Sequence, residues 1–393
     1  MLSEAHRAVV RATVPLLESG GEALTQHFYR IMLSGYPEVR PLFNQAHQAS
    51  GDQPRALANG VLAYARNIDR LEALGPLVGQ VVQKHVSLQV LPEHYPIVGT
   101  CLLQAIREVL GPDIATDEVI EAWAAAYQQL ADILIGAEEQ VYQANAEAAG
   151  GWRGSRRFRV VRREDESEEI VSFYLRPVDG GPVPAFVPGQ YLGLRLEIDG
   201  AEVRRNYSLS APPDGTQFRI SVKREPGGQV SGFMHQMAQE NFELDVFPPA
   251  GDFTLQASER PLALITAGVG ITPAIPMLEA AAREGRTVHF IHCARHAGVH
   301  AFREWVDDMA ARYPGIRRFF CYSEPRAEDA ADGTGFLTRE HLEQWLPATR
   351  DLDAYFLGPV PFMAQVKSHL AALGVPGEQC RYEFFGPAQA LEA

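Results

Sequence analysis

At 393 residues the chain is too long for one ordinary core, and 46% hydrophobic with 21% charged residues suits two or three packed globular domains rather than a disordered or fibrous chain. A net charge of -14, with no clustered Lys/Arg run to override it, disfavours nucleic acid as a partner. No apolar run is long enough to span a bilayer, and the opening MLSEAHRAVVRATV mixes charges into its apolar pattern, so export and membrane insertion are not expected.

The first stretch, residues 1–147, has no strand-like alternation and reads as all-α. Leu2, Val9, Val10, Leu16 and Leu17 follow helical spacing after the N-cap candidate Ser3. A further helix is predicted over 22–34, ended by Gly35 and Pro37, with others over 54–66, 76–90, 94–110 and 117–145. Packed obliquely, these make a globin-like bundle. The texture changes around Gly150, Gly151, Trp152 and Gly154, where FRVVRRE and EEIVSFYLRPV begin a series of short strands. QYLGLRLEI, RRNYSLS, FRISVKRE and ELDVFPPAG continue it, with one helix near 229–239, so residues 152–258 read as a small antiparallel β-barrel. From 259 to 393 apolar β-type runs alternate with helices (LALIT, VHFIHCA, AFREWVDDMAARY, RRFFCYS, AYFLG), which is the pattern of an α/β doubly wound parallel sheet. The segment PRAEDAADGTG reads as a loop. Cys101, Cys293, Cys321 and Cys380 lie far apart in the chain with no CxxC pair, which argues against a zinc ribbon, an iron–sulfur cluster or a disulfide scaffold and leaves reduced cytoplasmic thiols as the expectation.

TAGVGITP follows the apolar run LALI and opens a helix, so Gly268 and Gly270 can bring backbone close to a pyrophosphate at a helix N-terminus. A lone glycine pair is as often a tight strand–helix turn, and this is not the GxGxxG form. After the next strand Arg295 stands where an NAD-type acid is often found; an arginine there can admit a 2′-phosphate, so NADH and NADPH both stay open. RNYS lies on a barrel strand, where Tyr207 can stack on an isoalloxazine ring while Arg205 and Ser208 meet polar parts of a flavin. PGQYLGL, RNYS, GGQVS, GVGITP and GPVPFM occur in that order, and the ordered set resembles the ferredoxin reductase-like FAD/NAD(P)H module. The resemblance implies that Tyr191, Arg205, Asn206, Tyr207 and Ser208 contact FAD and that Gly228, Gln229, Val230 and Ser231 adjoin its pyrophosphate. It further implies that Gly268, Val269, Gly270, Ile271, Thr272 and Pro273 receive NAD(P)H, and that Phe384, Phe385, Gly386 and Pro387 cover the flavin. Leu357 and Phe384 stand where such reductases often carry cysteines.

In the helical part His85 is the best candidate for an axial base of haem iron, because QVVQKHVSLQV puts it on a face with Val81, Val82 and Leu88. A single histidine on an apolar helix is more often a satisfied core residue, and His6, His27, His47 and His94 fit less well still. Gln53 and Leu57 share one helical face at i, i+4, and Tyr29 and Phe43 can add a hydroxyl and an aromatic wall on the far side of the iron; taken singly, each has an ordinary core or surface reading. Together HFYRIM, PLFN, GDQPRALANGV, QKHVSLQV, HYPIVG and AGGWRG resemble the globin half of bacterial and yeast flavohaemoglobins, a likeness that then runs the whole chain. It implies haem b with His85 as proximal ligand linked to Tyr95 and Glu138, a distal pocket of Tyr29, Phe43, Gln53 and Leu57, and Lys84 and Glu383 near the haem–FAD junction where charge tunes electron transfer. The activity so implied is nitric oxide dioxygenation, in which electrons pass from NAD(P)H through FAD to haem and O2 oxidises nitric oxide to nitrate. A haem-based oxygen or redox sensor is a different reading, set against it by the lack of a segment left over for output; fatty acid or lipid binding by the helical domain is a third. The chain is expected to act as a monomer.

Overall fold

The computed structural model describes residues 2–43, 52–386 and 391, without the side chains of Asp52 and Gln53. The described residues divide into two compact units, one of those up to Glu147 with the short Gly200–Arg205 segment and Gly386, the other of the remainder. The first is helical: α1 (Glu4–Ala12), α2 (Val14–Gly35), α3 (Asp52–Arg66), α4 (Gly75–Leu88), α5 (Tyr95–Leu110) and α6 (Asp117–Glu147). Phe28, Met32, Val86, Cys101, Ala105, Trp123 and Ala126 pack its core, shielding the apolar stripes that the spacing marks out. One boundary differs from expectation. The break falls at Thr13, where Pro15 can sit only in a first turn, and not at Gly20–Gly21, through which α2 runs unbroken. A Cβ at Gly21 would stand 3.6 Å from the Ala58 Cβ, an ordinary contact, so α2 packs on α3 there and tertiary packing outweighs the poor helix propensity of two glycines.

After the helices the chain forms six antiparallel strands, β1 (Arg156–Asp165), β2 (Ile170–Pro177), β3 (Tyr191–Ile198), β4 (Ala201–Ser208), β5 (Phe218–Lys223) and β6 (Glu243–Val246), ordered β4-β3-β6-β1-β2-β5; all but the first part of β4 fall in the second unit. An antiparallel bridge from Leu209 to Ile220 joins the end of β4 to β5 and closes the sheet, which spares it exposed edges. The helix α7 (Gln229–Met237) interrupts the strands where the sequence places one.

A parallel sheet follows, ordered β10-β9-β8-β7-β11-β12, from β7 (Leu262–Ala267), β8 (Val288–Ala294), β9 (Ile316–Tyr322), β10 (Gly333–Thr334), β11 (Asp353–Leu357) and β12 (Cys380–Tyr382). Its covering helices are α8 (Ala274–Arg283), α9 (Arg303–Arg312), α10 (Arg339–Trp345) and α11 (Val360–Ala372). β7 is buried at every position, as a central parallel strand must be. Strand order reverses between β7 and β11, which sets the crevice for ligands at the carboxyl ends of those two strands. The short strands β10 and β12 and the helix α10 carry too little periodicity for the sequence to announce them. The cysteines are all free, yet two that are distant in the chain become neighbours: Cys293 and Cys321 are register partners on β8 and β9, and the Cys321 thiol donates to the Gly335 carbonyl at 3.4 Å. Among the described residues no helix is long and apolar enough to cross a membrane.

Candidate functional site

His85 sits near the end of α4, which stops at Gln89 in the left-handed conformation (φ 58°), with the Val90 amide returning to the His85 carbonyl at 2.9 Å. Its Nδ1 lies 2.7 Å from Glu138 Oε1 and 3.2 Å from the Tyr95 hydroxyl, and that hydroxyl donates to the same Glu138 oxygen at 2.6 Å. Glu138 is 2% exposed, so its carboxylate has these two partners in place of water. Burial and the adjoining carboxylate push the Tyr95 phenol well above its ordinary range, keeping it a donor. With Nδ1 held by a carboxylate, Nε2 is the nitrogen left to ligate a metal, the arrangement that makes imidazole a stronger electron donor.

One helix face holds this wall. Tyr127, Glu138 and Tyr142 lie on α6 at spacings that return to the same side. Tyr127 donates to the Tyr95 carbonyl at 2.6 Å and Tyr142 to the Val90 carbonyl at 2.7 Å, either side of the Glu138 contacts. Gly99 makes room: a Cβ there would lie 2.6 Å from the Tyr127 ring. Tyr127, Tyr142 and this use of Gly99 escape sequence reading, although the glycine of HYPIVG was the available signal.

On α2, Tyr29 is packed edge-on between Phe28 (4.9 Å) and Phe43 (5.5 Å), and with Gln26, Leu33 and Pro54 it lines a cleft of about 530 Å³. Burial raises its phenol above the ordinary value, so the hydroxyl keeps its proton. The Thr25 hydroxyl donates to the Pro54 carbonyl at 2.8 Å and fixes α3 against α2. Leu57 packs partly buried into the same core, whereas the Gln53 side chain lies outside the described residues. Of the competing histidines, His27 is taken up by Glu108 and His94 accepts from the Leu91 amide at 2.9 Å; His47 lies outside the described residues. Lys84 is beside His85 on α4, in the first unit, and Glu383 directly follows β12, in the second.

In the barrel, Tyr191 opens β3, while Arg205, Asn206, Tyr207 and Ser208 end the neighbouring β4; the Leu209 amide donates to the Gln190 carbonyl at 2.9 Å to fix that pairing. The helix α7 begins at Gly228 without a side-chain cap, so its first amides are available to an anion, and Ser231 Oγ accepts from the Glu225 amide at 3.2 Å. Val230 and Ser231 are buried and Gln229 is exposed, so Val230 can serve a ligand only through its backbone. An uncapped helix start and a strand end carrying aromatic and cationic residues are the two kinds of group a flavin dinucleotide needs.

At the end of β7 the chain turns at Gly268 (φ 54°) into the Gly268–Ile271 turn and then α8. A Cβ on Gly270 would press on the Leu357 carbonyl group, 2.6 Å from its carbon, so only glycine lets this turn seat on β11. Gly268 and Val269 keep accessible surface, whereas Ile271, Thr272 and Pro273 are buried and shape the turn from beneath; Thr272 Oγ1 donates to the Val269 carbonyl at 2.9 Å. At the chain's far end Phe384 is buried edge-on to Tyr382 (5.8 Å), while Phe385 is 50% exposed and is the ring open to a ligand; Pro387 lies outside the described residues.

Known proteins account for all three parts. A globin model matches residues 26–134, an oxidoreductase FAD-binding domain 157–255, and an oxidoreductase NAD-binding domain 264–368. The chain is 72% identical to a flavohemoprotein of Pseudomonas aeruginosa and 67% identical to one of Pseudomonas putida, with full coverage of both chains in each comparison. Its fold matches the crystal structure of a flavohemoglobin from Malassezia yamatoensis with bound FAD and heme at a TM-score of 0.86 and 28% identity, covering 98% of this chain and 100% of that one. The FAD/NAD-binding domain of a nitric oxide dioxygenase from Vibrio cholerae matches 60% of the chain and all of that domain, at a TM-score of 0.56 and 35% identity. A histidine wall suited to haem, an uncapped helix suited to FAD and a glycine turn suited to NAD thus lie in one chain, which belongs to the flavohemoprotein family.

Proposed function

We propose that this flavohemoprotein is a nitric oxide dioxygenase, with haem held in residues 1–147, FAD in 152–258 and NAD(P)H in 259–393. Once bound, the three groups would supply hydride acceptance, one-electron transfer and dioxygen chemistry, with NAD(P)H as reductant and nitric oxide converted to nitrate. The observation that carries this reading is the Glu138 carboxylate on His85 Nδ1, 2.7 Å away and almost wholly shielded from water. It fixes the tautomer that offers Nε2 and makes the imidazole a stronger electron donor to a metal, which favours oxygen activation over simple reversible binding. Tyr95 holds Glu138 in place, and Tyr29 supplies a protonated hydroxyl as donor to a ligand on the opposite side. Tyr191 and the Arg205–Ser208 strand hold the flavin, the first turn of α7 its pyrophosphate, and the Gly268–Val269 turn the nicotinamide nucleotide.

The test is direct. Protein expressed with ample haem should show Soret and flavin bands; anaerobic NADH should reduce both, and air with nitric oxide should then drive NADH oxidation with nitrate as product. Absence of a Soret band, or NADH oxidation that does not respond to nitric oxide, overturns the assignment.

A further inference from the structure

The loop after β8 and the loop after β9 lie where the adenosine ribose of a dinucleotide rests in a doubly wound sheet, and each carries one arginine, Arg295 and Arg326. Both are already engaged. The turn between β1 and β2 brings two consecutive carboxylates to them: Glu169 pairs with Arg295, and Glu168 grips Arg326 with both oxygens, at 2.6 and 3.0 Å. The backbone secures this contact, since the Glu168 amide donates to the Gly298 carbonyl at 2.9 Å, and a side chain at Gly298 would collide with the Glu168 carboxylate. The two loops are also tied to each other. The Ala297 and Arg326 amides both donate to Asp329 Oδ2 at 3.0 Å, and the Glu324 amide donates to the Arg295 carbonyl at 2.8 Å. Arg326 further donates to His296 Nε2 at 3.2 Å.

We propose that Glu168 and Glu169 make this reductase select NADH over NADPH, by occupying the two guanidiniums that would otherwise receive the adenosine 2′-phosphate. The inference rests on nucleotide binding at the carboxyl ends of β7 and β8. An arginine beside the ribose is ordinarily the mark of a 2′-phosphate site, because a guanidinium fork meets phosphate with two parallel bonds. Here the forks meet carboxylates, and Asp329 adds a third negative charge, so an incoming phosphate of charge near −2 must displace glutamates while facing their field. The arginine side chains are about half exposed, at 50% and 44%, so each pair can open and the selection is a matter of degree rather than a steric block.

Binding of 5′-AMP and of adenosine 2′,5′-bisphosphate to the full-length holoprotein, followed by calorimetry, isolates the effect because the ligands differ only in the 2′-phosphate. Wild type should bind 5′-AMP more tightly. In the Glu168→Gln/Glu169→Gln variant the bisphosphate should gain about tenfold in affinity while 5′-AMP stays within about twofold, and adding Arg295→Gln with Arg326→Gln should cancel the gain. Retained 5′-AMP binding reports that the variant is folded; single Glu169→Gln should move the ratio the same way by less. Wild type that prefers the bisphosphate, or an unchanged ratio in the variants, overturns the proposal. Wild type that binds neither ligand overturns instead the nucleotide placement beneath it.

Discussion

The helical half and the parallel-sheet half build their sites from different parts of the chain. Around His85 the work is done by side chains: a carboxylate, two phenols and an imidazole whose atoms meet at 2.6–3.2 Å. At the end of β7 it is done by backbone, in a turn where Gly268 takes a left-handed φ of 54° and Gly270 is glycine because nothing larger clears Leu357. The contrast predicts different failure. Losing a side chain in the first half should leave the fold and change the chemistry, whereas adding one in the second should displace the turn.

Four experiments probe that contrast. The largest effect is expected from His85→Ala, which removes the nitrogen offered to iron: the Soret band should vanish while FAD remains reducible by NADH. Gly270→Ala should cut NADH-dependent flavin reduction by about a hundredfold or more with the Soret band intact, because a turn shifted by even an ångström misplaces the reacting atoms; stopped-flow reduction measures it. Glu138→Gln should lower nitric oxide turnover by about ten- to a hundredfold with haem retained, and a fall in the iron–histidine stretching frequency would separate tuning from mere stability. Tyr29→Phe should hasten dioxygen release about tenfold, the worth of one hydrogen bond to a ligand; an unchanged off-rate in flash photolysis removes Tyr29 from that role.

The smallest effect at neutral pH concerns stability. His292 is wholly buried, its Nδ1 2.8 Å from Thr266 Oγ1 and its ring 4.4 Å from that of His300, and burial lowers its pKa from the ordinary 6.5 to about 3. The same cause lowers His289 and His300. The unfolded chain therefore binds protons that the folded domain refuses, so stability is full above about pH 6.5 and is lost as pH falls towards 3. At pH 5 the cost from His292 alone is about 2 kcal/mol. Scanning calorimetry at pH 7.5 and 5 should show the lower melting temperature at pH 5, with a flatter dependence in His292→Gln.

What could be read from the sequence follows the same divide. His85, Gly268 and Gly270 stand in runs whose periodicity or turn chemistry marks them, yet each has an ordinary structural reading, and the ordered set of motifs is what points to chemistry. Glu138 has no local mark at all, being one acid in AEEQ on a long helix, and its contact with His85 spans 53 positions. The acids Glu168 and Glu169 open the segment EEIVSFYLRPV, which reads as a strand and says nothing of a partner, so the ion pairs they make with Arg295 and Arg326 depend on the tertiary fold. The continuity of α2 through Gly20–Gly21 was illegible for a similar reason: local propensity argues for a break, and packing on Ala58 overrides it.

The long helix α6 has a practical bearing on transplanting the haem half. Glu138 is near its end, and the chain leaves the helix at Glu147 to enter the reductase. A cut made a few residues too early would fray the turns that carry Glu138 and Tyr142, loosening the grip on His85 and Val90 while leaving most of the globin core untouched. An excised haem module cut there could stay folded and coloured and still be a poorer oxidant, so its quality is better judged from the iron–histidine vibration than from its colour.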